Sequence, residues 1–269
     1  MAEVEKGSPA EAAGLASGDT LVSVDGTPTK GLLVDDCAAI LRGPAGTKVG
    51  VVARASAKNG GASKDLIITR QVIKIQSVEA SVQRLKGKPV GVIRLRSFSQ
   101  TTAETVGQEL DKLEKQGISA LVLDLRGNPG GFLGGGIDTA RLFLPAYEKI
   151  VSVVGKTGIV EDYQTTDEGR ETQKPLFILV DKRTASASEV LSAALKENGR
   201  AKLVGEKTFG KGVVQTIEQV GQGCGVSVTI AAYSTPLGNN INKKGIEVDV
   251  PSQCEPSDAA VTCLPESLL

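Results

Sequence analysis

The chain contains no histidine, and this restricts the chemistry it can perform. A Ser-His-Asp triad, a Cys-His pair and a histidine-ligated metal are all excluded. A base that works near neutral pH must therefore be a carboxylate, a thiolate, or a lysine whose pKa is lowered by its surroundings.

Residues 184–189, with the sequence TASASE, place serines where a predicted buried strand turns into a predicted helix. Such a turn exposes a hydroxyl at the carboxyl end of a sheet and points free backbone N–H groups towards it. Those N–H groups could also hold the oxyanion of a tetrahedral intermediate. The alternative is a plain helix N-cap, because serine and threonine are favoured there for capping alone.

Lys211 lies between two glycines in the segment GEKTFGKGVVQ. A lysine can deprotonate a serine only when its amine is neutral, and lowering its pKa by about three units costs ~4 kcal/mol and requires burial. We therefore expect the Lys211 side chain to be buried among apolar strands. The alternative is a surface lysine in a glycine-rich turn, and the nearby Lys207 is assigned no role.

A glycine-rich loop, RGNPGGFLGGG, follows the buried strand ALVLDL. Glycines allow backbone amides to approach a substrate closely, so the N–H of Gly131 could be a second oxyanion donor. A phosphate-binding loop is the alternative, but the loop has neither the GK[ST] ending nor the GxGxxG spacing of such loops.

The elements that would position these residues alternate between strands and helices. A hairpin is predicted at Asp25-Gly26, and a capping box formed by Thr101 and Glu104 is predicted to open a helix. This alternation predicts an α/β (α+β) protein with a crossover-built, mixed or largely parallel sheet and flanking helices. Strands are predicted at 20–24, 48–54, 65–70, 90–95, 120–125, 176–180, 203–204, 213–217 and 226–232, and helices from Pro9, at 34–41, and near 137–144 and 187–198.

The composition indicates what kind of core the protein has and which classes of binding partner are not expected. Of the 269 residues 40% are hydrophobic but only 3% aromatic, which favours a core of Val, Ile, Leu and Ala. The formal net charge is zero, so a nucleic-acid or anionic-membrane partner is not indicated. No apolar run approaches the roughly 20 residues of a membrane span, and the first residues do not form a signal peptide.

The four cysteines lack the CxxC spacing of a zinc site. They could be isolated cysteines of a soluble protein. Alternatively, Cys254 and Cys263, in a proline-rich tail, could form a disulfide in an oxidising compartment.

Five segments, taken together and in this order, resemble the C-terminal processing peptidase (tail-specific protease) family: GSPAEAAGLASGDTLVSVDG, DLRGNPGG, TASASE, GEKTFGKGVVQ and YSTPLGNNINKKGIEVDV. The later segments look closer to its photosynthetic branch. Members of that branch trim the C-terminal extension of a photosystem II reaction-centre protein precursor in the thylakoid lumen.

The resemblance implies a serine endopeptidase with a Ser/Lys dyad that cleaves near the C-terminus of its substrate. It implies that Ser186, rather than Ser188, is the nucleophile and that Lys211 is the general base. Gln215 would orient the amine of Lys211, and the N–H groups of Gly131 and Ala187 would form the oxyanion hole. No metal or organic cofactor is implied.

The resemblance also implies two domains. Residues 1–72 would form a PDZ-like module, incomplete at its N-terminus, and residues 73–269 a protease domain with a C-terminal tail. The expected partner is a protein substrate with a free C-terminus, without nucleic acid or metal. We expect a monomer in the chloroplast thylakoid lumen, or alternatively in a periplasm, with its targeting segment outside this chain; peripheral membrane contact stays open.

Two other functions stay open at this stage. The chain could be a non-cleaving PDZ-like adaptor derived from such a protease, because its PDZ-like module is expected to lack the loop that holds a terminal carboxylate. It could also be an acyl-transfer or hydratase enzyme on a related crossover fold, although the predicted dyad argues against this.

Overall fold

The structure is a computed structural model that describes residues 4, 7–56, 60–72, 76–221 and 224–265. The chain divides into two compact units, Met1–Ile75 and Gln76–Leu269.

The first unit is a four-stranded antiparallel sheet with two helices. The predicted helix start is confirmed, because the Ser8 hydroxyl accepts a hydrogen bond from the Glu11 N–H at 3.2 Å and Pro9 opens the helix. The predicted hairpin is also confirmed, with Asp25 and Gly26 at φ of 45° and 77°. The elements are α1 (Pro9–Ala12), β1 (Thr20–Val24), β2 (Thr27–Pro28), α2 (Val34–Leu41), β3 (Lys48–Arg54) and β4 (Ser63–Thr69), with the sheet order β2-β1-β3-β4.

Among its described residues, the second unit contains two sheets, three α-helices and a short 3₁₀ helix in its tail. In chain order the elements are β5 (Val78–Leu85), β6 (Lys88–Leu95), α3 (Thr102–Glu114), β7 (Ala120–Asp124), α4 (Leu133–Arg141), β8 (Lys149–Gly155), β9 (Gly158–Gln164), β10 (Leu176–Val180), α5 (Ala187–Glu197), β11 (Lys202–Gly205), β12 (Val213–Gly221), β13 (Cys224–Ser234), β14 (Val250–Pro251) and the 3₁₀ helix Ala260–Cys263.

The main sheet has the order β14-β11-β10-β7-β6-β5. All its neighbouring pairs are parallel except β5 with β6, so the predicted crossover-built sheet is confirmed. The central strands β7 and β10 are buried along their whole length, as their continuous apolar sequences indicate. The carboxyl ends of these strands lead into the glycine-rich loop and into the turn before α5.

The second sheet is antiparallel, with the order β12-β13-β8-β9. Four strands of the second unit, β5, β8, β9 and the short β14, were not predicted. Helix α4 begins earlier than predicted and includes three consecutive glycines. A Cβ at Gly135 would lie 2.5 Å from the Ser99 carbonyl oxygen, and one at Gly136 would lie 2.8 Å from that of Ala187, so close packing accounts for these two glycines.

The predicted capping box at the start of α3 is wrong. Thr101 makes no side-chain cap hydrogen bond. The hydroxyl of Thr102 instead accepts a hydrogen bond from the Ser99 N–H at 2.8 Å, so the next threonine fixes the chain at this helix start.

The two faces of the main sheet are covered differently. Helices α3, α4 and α5 pack on one face together with residues such as Ile93, Leu123 and Ile178. The other face, which includes Val122 and Phe177, is covered by the C-terminal tail through a second cluster that includes Ala260, Val261, Cys263 and Leu264. Cys254 and Cys263 form a disulfide within this tail.

We predict that replacing both Cys254 and Cys263 by serine lowers the free energy of unfolding by about 2–4 kcal/mol, because the disulfide restricts the unfolded chain. Urea denaturation followed by circular dichroism measures the change. The free cysteines Cys37 and Cys224 provide the control, and their serine variants should unfold like the wild type. Equal stability of the double variant and the oxidised wild type would contradict the prediction.

Candidate functional site

Ser186 has a strained backbone at the turn between β10 and α5. Its φ is 57° and its ψ is −120°, a conformation that residues with a Cβ rarely adopt. A strained serine on a sharp strand-to-helix turn is the arrangement that presents a nucleophile in hydrolases with an α/β sheet. The hydroxyl does not cap α5, because the Glu189 N–H donates to the Ser186 carbonyl oxygen instead, at 2.8 Å.

Ser188 has the role of a structural serine. Its side chain is fully buried, and its hydroxyl donates to the Asn128 carbonyl oxygen at 3.2 Å. The structure therefore separates the two serines of the segment: Ser186 is half-buried and strained, whereas Ser188 ties two loops together.

The glycine-rich loop lies directly against Ser186. A Cβ at Gly130 would lie 2.8 Å from the Ser186 Cβ and 2.7 Å from the Ala185 carbonyl oxygen, so only glycine fits. Gly131 has a φ of 134°, and a Cβ there would lie 2.3 Å from the Phe98 carbonyl oxygen. Close backbone contact with Phe98 and Ser186 thus fixes the loop in place.

The N–H groups of Gly131 and Ala187 are the candidate oxyanion donors. Among the hydrogen bonds of the described residues, neither group donates to a protein acceptor. The Ala187 N–H is 3.0 Å from the Cβ position of Gly130, which places it beside the loop that carries Gly131. Two unused donors beside a strained serine can stabilise an oxygen that becomes negative during a reaction.

Asp181 holds the glycine-rich loop against the serine turn. Its Oδ1 accepts hydrogen bonds from the N–H groups of Gly127 (3.0 Å), Arg183 (2.9 Å) and Thr184 (3.1 Å). Burial alone would raise the pKa of Asp181, but the hydrogen bonds from Gly127 and Arg183 outweigh it and lower the pKa. This role of Asp181 was not predicted from the sequence, although Asp181 lies only five positions before Ser186.

Arg126 connects the same loop to the C-terminal tail. Its guanidinium is buried and forms a bidentate ion pair with Asp124, with an Nη2–Oδ2 distance of 2.6 Å. Its Nη1 donates to the Glu255 carbonyl oxygen at 2.6 Å and contacts the sulfur atoms of Cys254 and Cys263 at 3.2 and 3.1 Å. No role for this arginine was predicted from the sequence.

The backbone around Lys211 is held by close contacts of its two glycine neighbours. Gly210 has a φ of +88°, and its carbonyl oxygen accepts a hydrogen bond from the Lys243 N–H at 2.7 Å. A Cβ at Gly212 would lie 2.4 Å from the Asn242 backbone nitrogen, and the Gly212 carbonyl oxygen accepts from the Tyr233 N–H at 2.9 Å. The tight turn expected for this segment is present.

The expected burial of the Lys211 side chain is wrong for this structure, in which Lys211 is exposed. In the described part of the chain, no hydrogen bond or ion pair involves its amine. The physical reason is local: the glycines on either side fix the backbone but provide no side chains that could enclose the amine. Lys207, by contrast, pairs with Glu247 at 2.5 Å, as suits a surface lysine without a catalytic role.

Gln215 lies on β12 and is exposed. Its amide nitrogen donates to the Thr229 hydroxyl on β13 at 3.4 Å, and the described residues include no hydrogen bond between Gln215 and Lys211. The structure therefore brings Ser186, Gly131 and Ala187 together, whereas no hydrogen bond among the described residues joins the side chain of Lys211 or Gln215 to them.

Tyr233 is a site residue that the sequence analysis missed. Its side chain is buried near the end of β13, where burial raises the pKa of the phenol and a hydrogen bond with the Ser186 side chain partly offsets that rise. The sequence clue to its role was its position at the start of the YSTP segment. Without that clue, an aromatic residue in a strand is predicted to belong to the hydrophobic core.

In residues 4–265, apart from the gaps noted above, no three or more Cys, Asp or Glu side chains gather closely enough to hold a metal ion. Within the same residues, none of the helices combines the length and the apolar character that a membrane crossing requires.

Comparison with known proteins shows similarity over nearly the whole chain. Residues 89–252 match the model of peptidase family S41, and residues 1–54 match a PDZ domain model. The chain is 43% identical to a carboxyl-terminal-processing protease of Synechocystis sp. over 244 residues, which cover 90% of this chain and 56% of the relative. It is 38% identical to a chloroplastic C-terminal processing peptidase of Tetradesmus obliquus, with 96% of this chain and 58% of the relative covered.

A solved structure, titled photosystem II D1 C-terminal processing protease, is also similar. It has 36% sequence identity and a TM-score of 0.68, and the match covers 98% of this chain and 71% of that chain. The chain thus spans a little over half of the length of the two curated relatives.

We predict that Asp181→Asn destabilises the second unit by about 1–3 kcal/mol at neutral pH, since buried backbone donors lose a charged acceptor. The folded-state pKa of Asp181 lies below its ordinary value of 3.8, so the ionised group stabilises the fold above about pH 4. That contribution is lost as the pH falls through the folded-state pKa, and the two proteins should then converge. Urea denaturation at several pH values tests this, with Asp138→Asn, at an exposed helix ion pair, as the control.

Proposed function

This chain belongs to peptidase family S41, and we propose that it is a serine endopeptidase that cleaves protein substrates near their C-terminus. The observation that carries this proposal is the strained backbone of Ser186 beside the unused N–H groups of Gly131 and Ala187. That arrangement suits attack on a carbonyl carbon followed by stabilisation of the resulting oxyanion.

The proposed reaction has two steps with an acyl-enzyme between them. The Ser186 oxygen attacks the peptide carbonyl carbon, and the neutral amine of Lys211 takes the hydroxyl proton. The tetrahedral intermediate collapses as the C–N bond breaks, and the same proton passes to the leaving amine. Water then attacks the ester, with Lys211 again accepting a proton, and the acid product and the free Ser186 hydroxyl are released.

This mechanism requires the Lys211 amine to move onto the Ser186 hydroxyl. The backbone of Lys211 is already fixed, so rotation about the four-carbon side chain is the movement needed. A bound substrate would exclude water from the amine and so favour its neutral form. Gln215 is proposed to orient the amine in that arrangement, as the resemblance implies.

The proposed substrate is a protein with a free C-terminus, and the PDZ-like unit is proposed to recognise that terminus. The similarity to the photosystem II D1 C-terminal processing protease and to a chloroplastic peptidase supports a role in maturing a photosystem II reaction-centre protein precursor in the thylakoid lumen. The cyanobacterial relative supports the alternative of a bacterial enzyme in a periplasm.

A second candidate is a non-cleaving adaptor, and the exposed Lys211 side chain favours it, because the described residues include no hydrogen bond between its amine and Ser186. A fluorophosphonate probe distinguishes the two functions. Covalent labelling confined to Ser186 supports the enzyme, whereas the absence of labelling in a folded sample supports the adaptor.

We predict that Ser186→Ala and Lys211→Ala each abolish cleavage of an unstructured peptide with a free C-terminus. Ser188→Ala and Lys207→Ala are matched controls and should retain cleavage, because Ser188 donates to a backbone carbonyl and Lys207 pairs with Glu247. Chromatography with mass spectrometry measures the products. Undiminished cleavage by Ser186→Ala or Lys211→Ala would exclude the proposed dyad.

We predict that Gly131→Ala lowers kcat by about 10²–10³ with a smaller change in KM, since the loop must shift and displace an oxyanion donor. Gly87→Ala is the control: Gly87 also has positive φ, at +80°, but a Cβ there meets nothing within 4 Å. Both variants should lose some stability from backbone strain, yet only Gly131→Ala should lose turnover. A normal kcat for a folded Gly131→Ala would rule out the assigned donor.

A further inference from the structure

Glu189 is a fully buried carboxylate in the first turn of α5. Its Oε2 accepts hydrogen bonds from the Ser186 N–H at 2.9 Å and from the Lys211 N–H at 2.8 Å. Its Oε1 accepts from the Gly210 N–H at 2.7 Å and from the Thr208 hydroxyl at 2.6 Å. One side chain therefore joins the backbone of the proposed nucleophile to the backbone of the proposed base.

Burying this carboxylate has a large desolvation cost, because among the described residues no cation pairs with it. Four donors take the place of a cation, and the N-terminus of α5 adds a favourable dipole. A helix-capping role alone would need only the Ser186 N–H. The three bonds to residues 208–211 reach across 19 to 22 positions of sequence and so serve another purpose.

The network extends beyond Glu189 to a third loop. The Thr208 hydroxyl that donates to Glu189 also accepts a hydrogen bond from the Ile246 N–H at 2.7 Å. Residues 208–211 are thereby held on one side by Glu189 and on the other by residues 243–246. The backbone of residues 208–211 is therefore fixed, whereas the Lys211 amine makes no hydrogen bond or ion pair among the described residues.

We propose that Glu189 is a positioning residue for the reaction, which acts through Lys211 by fixing the point from which the amine swings onto Ser186. This inference rests on the proposed function. A side chain with four rotatable bonds delivers its amine reproducibly only when its Cα is fixed relative to the target, and misplacement by about 1 Å can cost a hundredfold in rate. Glu189 supplies that fixed distance, because a single carboxylate oxygen binds both backbones.

The test is a double-mutant cycle between Glu189→Gln and Lys211→Ala, with the rate of Ser186 labelling by a fluorophosphonate as the readout. Glutamine keeps the shape but faces some of the N–H donors with its own NH₂ group. We expect Glu189→Gln alone to lower the labelling rate by about 10–100-fold. In the Lys211→Ala background the same substitution should have little further effect, because the group it positions is gone.

Glu171→Gln is the matched control. Glu171 is also a buried carboxylate that accepts two backbone hydrogen bonds, from Gln173 and Lys174 at 2.7 Å each, but it lies outside the site. We expect this variant to lose stability in urea denaturation while its Ser186 labelling rate stays at the wild-type value. Should Glu189→Gln not fold, Glu189→Asp, which shortens the side chain by one methylene, replaces it in the cycle.

Two results would overturn the proposal. The first is a wild-type labelling rate for a folded Glu189 variant. The second is that the Glu189 substitution lowers the labelling rate in the Lys211→Ala background as much as it does in the wild type. That result would place the effect on Ser186 or on stability alone. Failure of the proposed function is a separate result: labelling that persists in Ser186→Ala, or that is untouched in Lys211→Ala, shows that the dyad itself is absent.

Discussion

The site depends on backbone segments that approach one another so closely that glycine is required at the points of contact. Gly130 touches the Ser186 turn, Gly131 touches the Phe98 backbone, and Gly212 touches the Asn242 backbone, each at distances where a Cβ would overlap a neighbouring atom. Backbone contact of this kind leaves little room for adjustment. It allows buried carboxylates at 181 and 189 to reach N–H groups of two loops at once, which is how the strained Ser186 backbone is maintained.

Much of this arrangement could be predicted from the sequence, because the relevant signals are local. The runs ALVLD and LFILV are apolar at every position, which a strand buried on both faces requires, and the structure confirms both. A serine in the turn between such a strand and the following helix must lie at the carboxyl edge of the sheet. The same edge receives the glycine-rich loop, because β7 and β10 are parallel neighbours.

The remaining features depend on contacts between distant residues, which one sequence does not reveal. Burial of Lys211 was expected from apolar strands on either side of it, yet its immediate neighbours are glycines that enclose nothing. Tyr233 was indistinguishable from a core residue, because its hydrogen bond with Ser186 joins β13 to a turn that is far away in sequence. At the start of α3 a threonine hydroxyl does accept a backbone hydrogen bond, but it belongs to Thr102 and not to the predicted Thr101.

The C-terminal tail connects the stability of the sheet to the geometry of the site. Helices cover one face of the main sheet, so the apolar side chains on the other face need a different cover, and residues 260–264 provide it. Arg126 binds that tail at the Glu255 and Asp258 carbonyl oxygens while it pairs with Asp124 at the end of β7. Arg126 is itself the first residue of the glycine-rich loop. The first turn of this loop is therefore anchored by a buried guanidinium that also binds the tail, so the segment that closes the hydrophobic core also fixes the origin of the loop that carries Gly131.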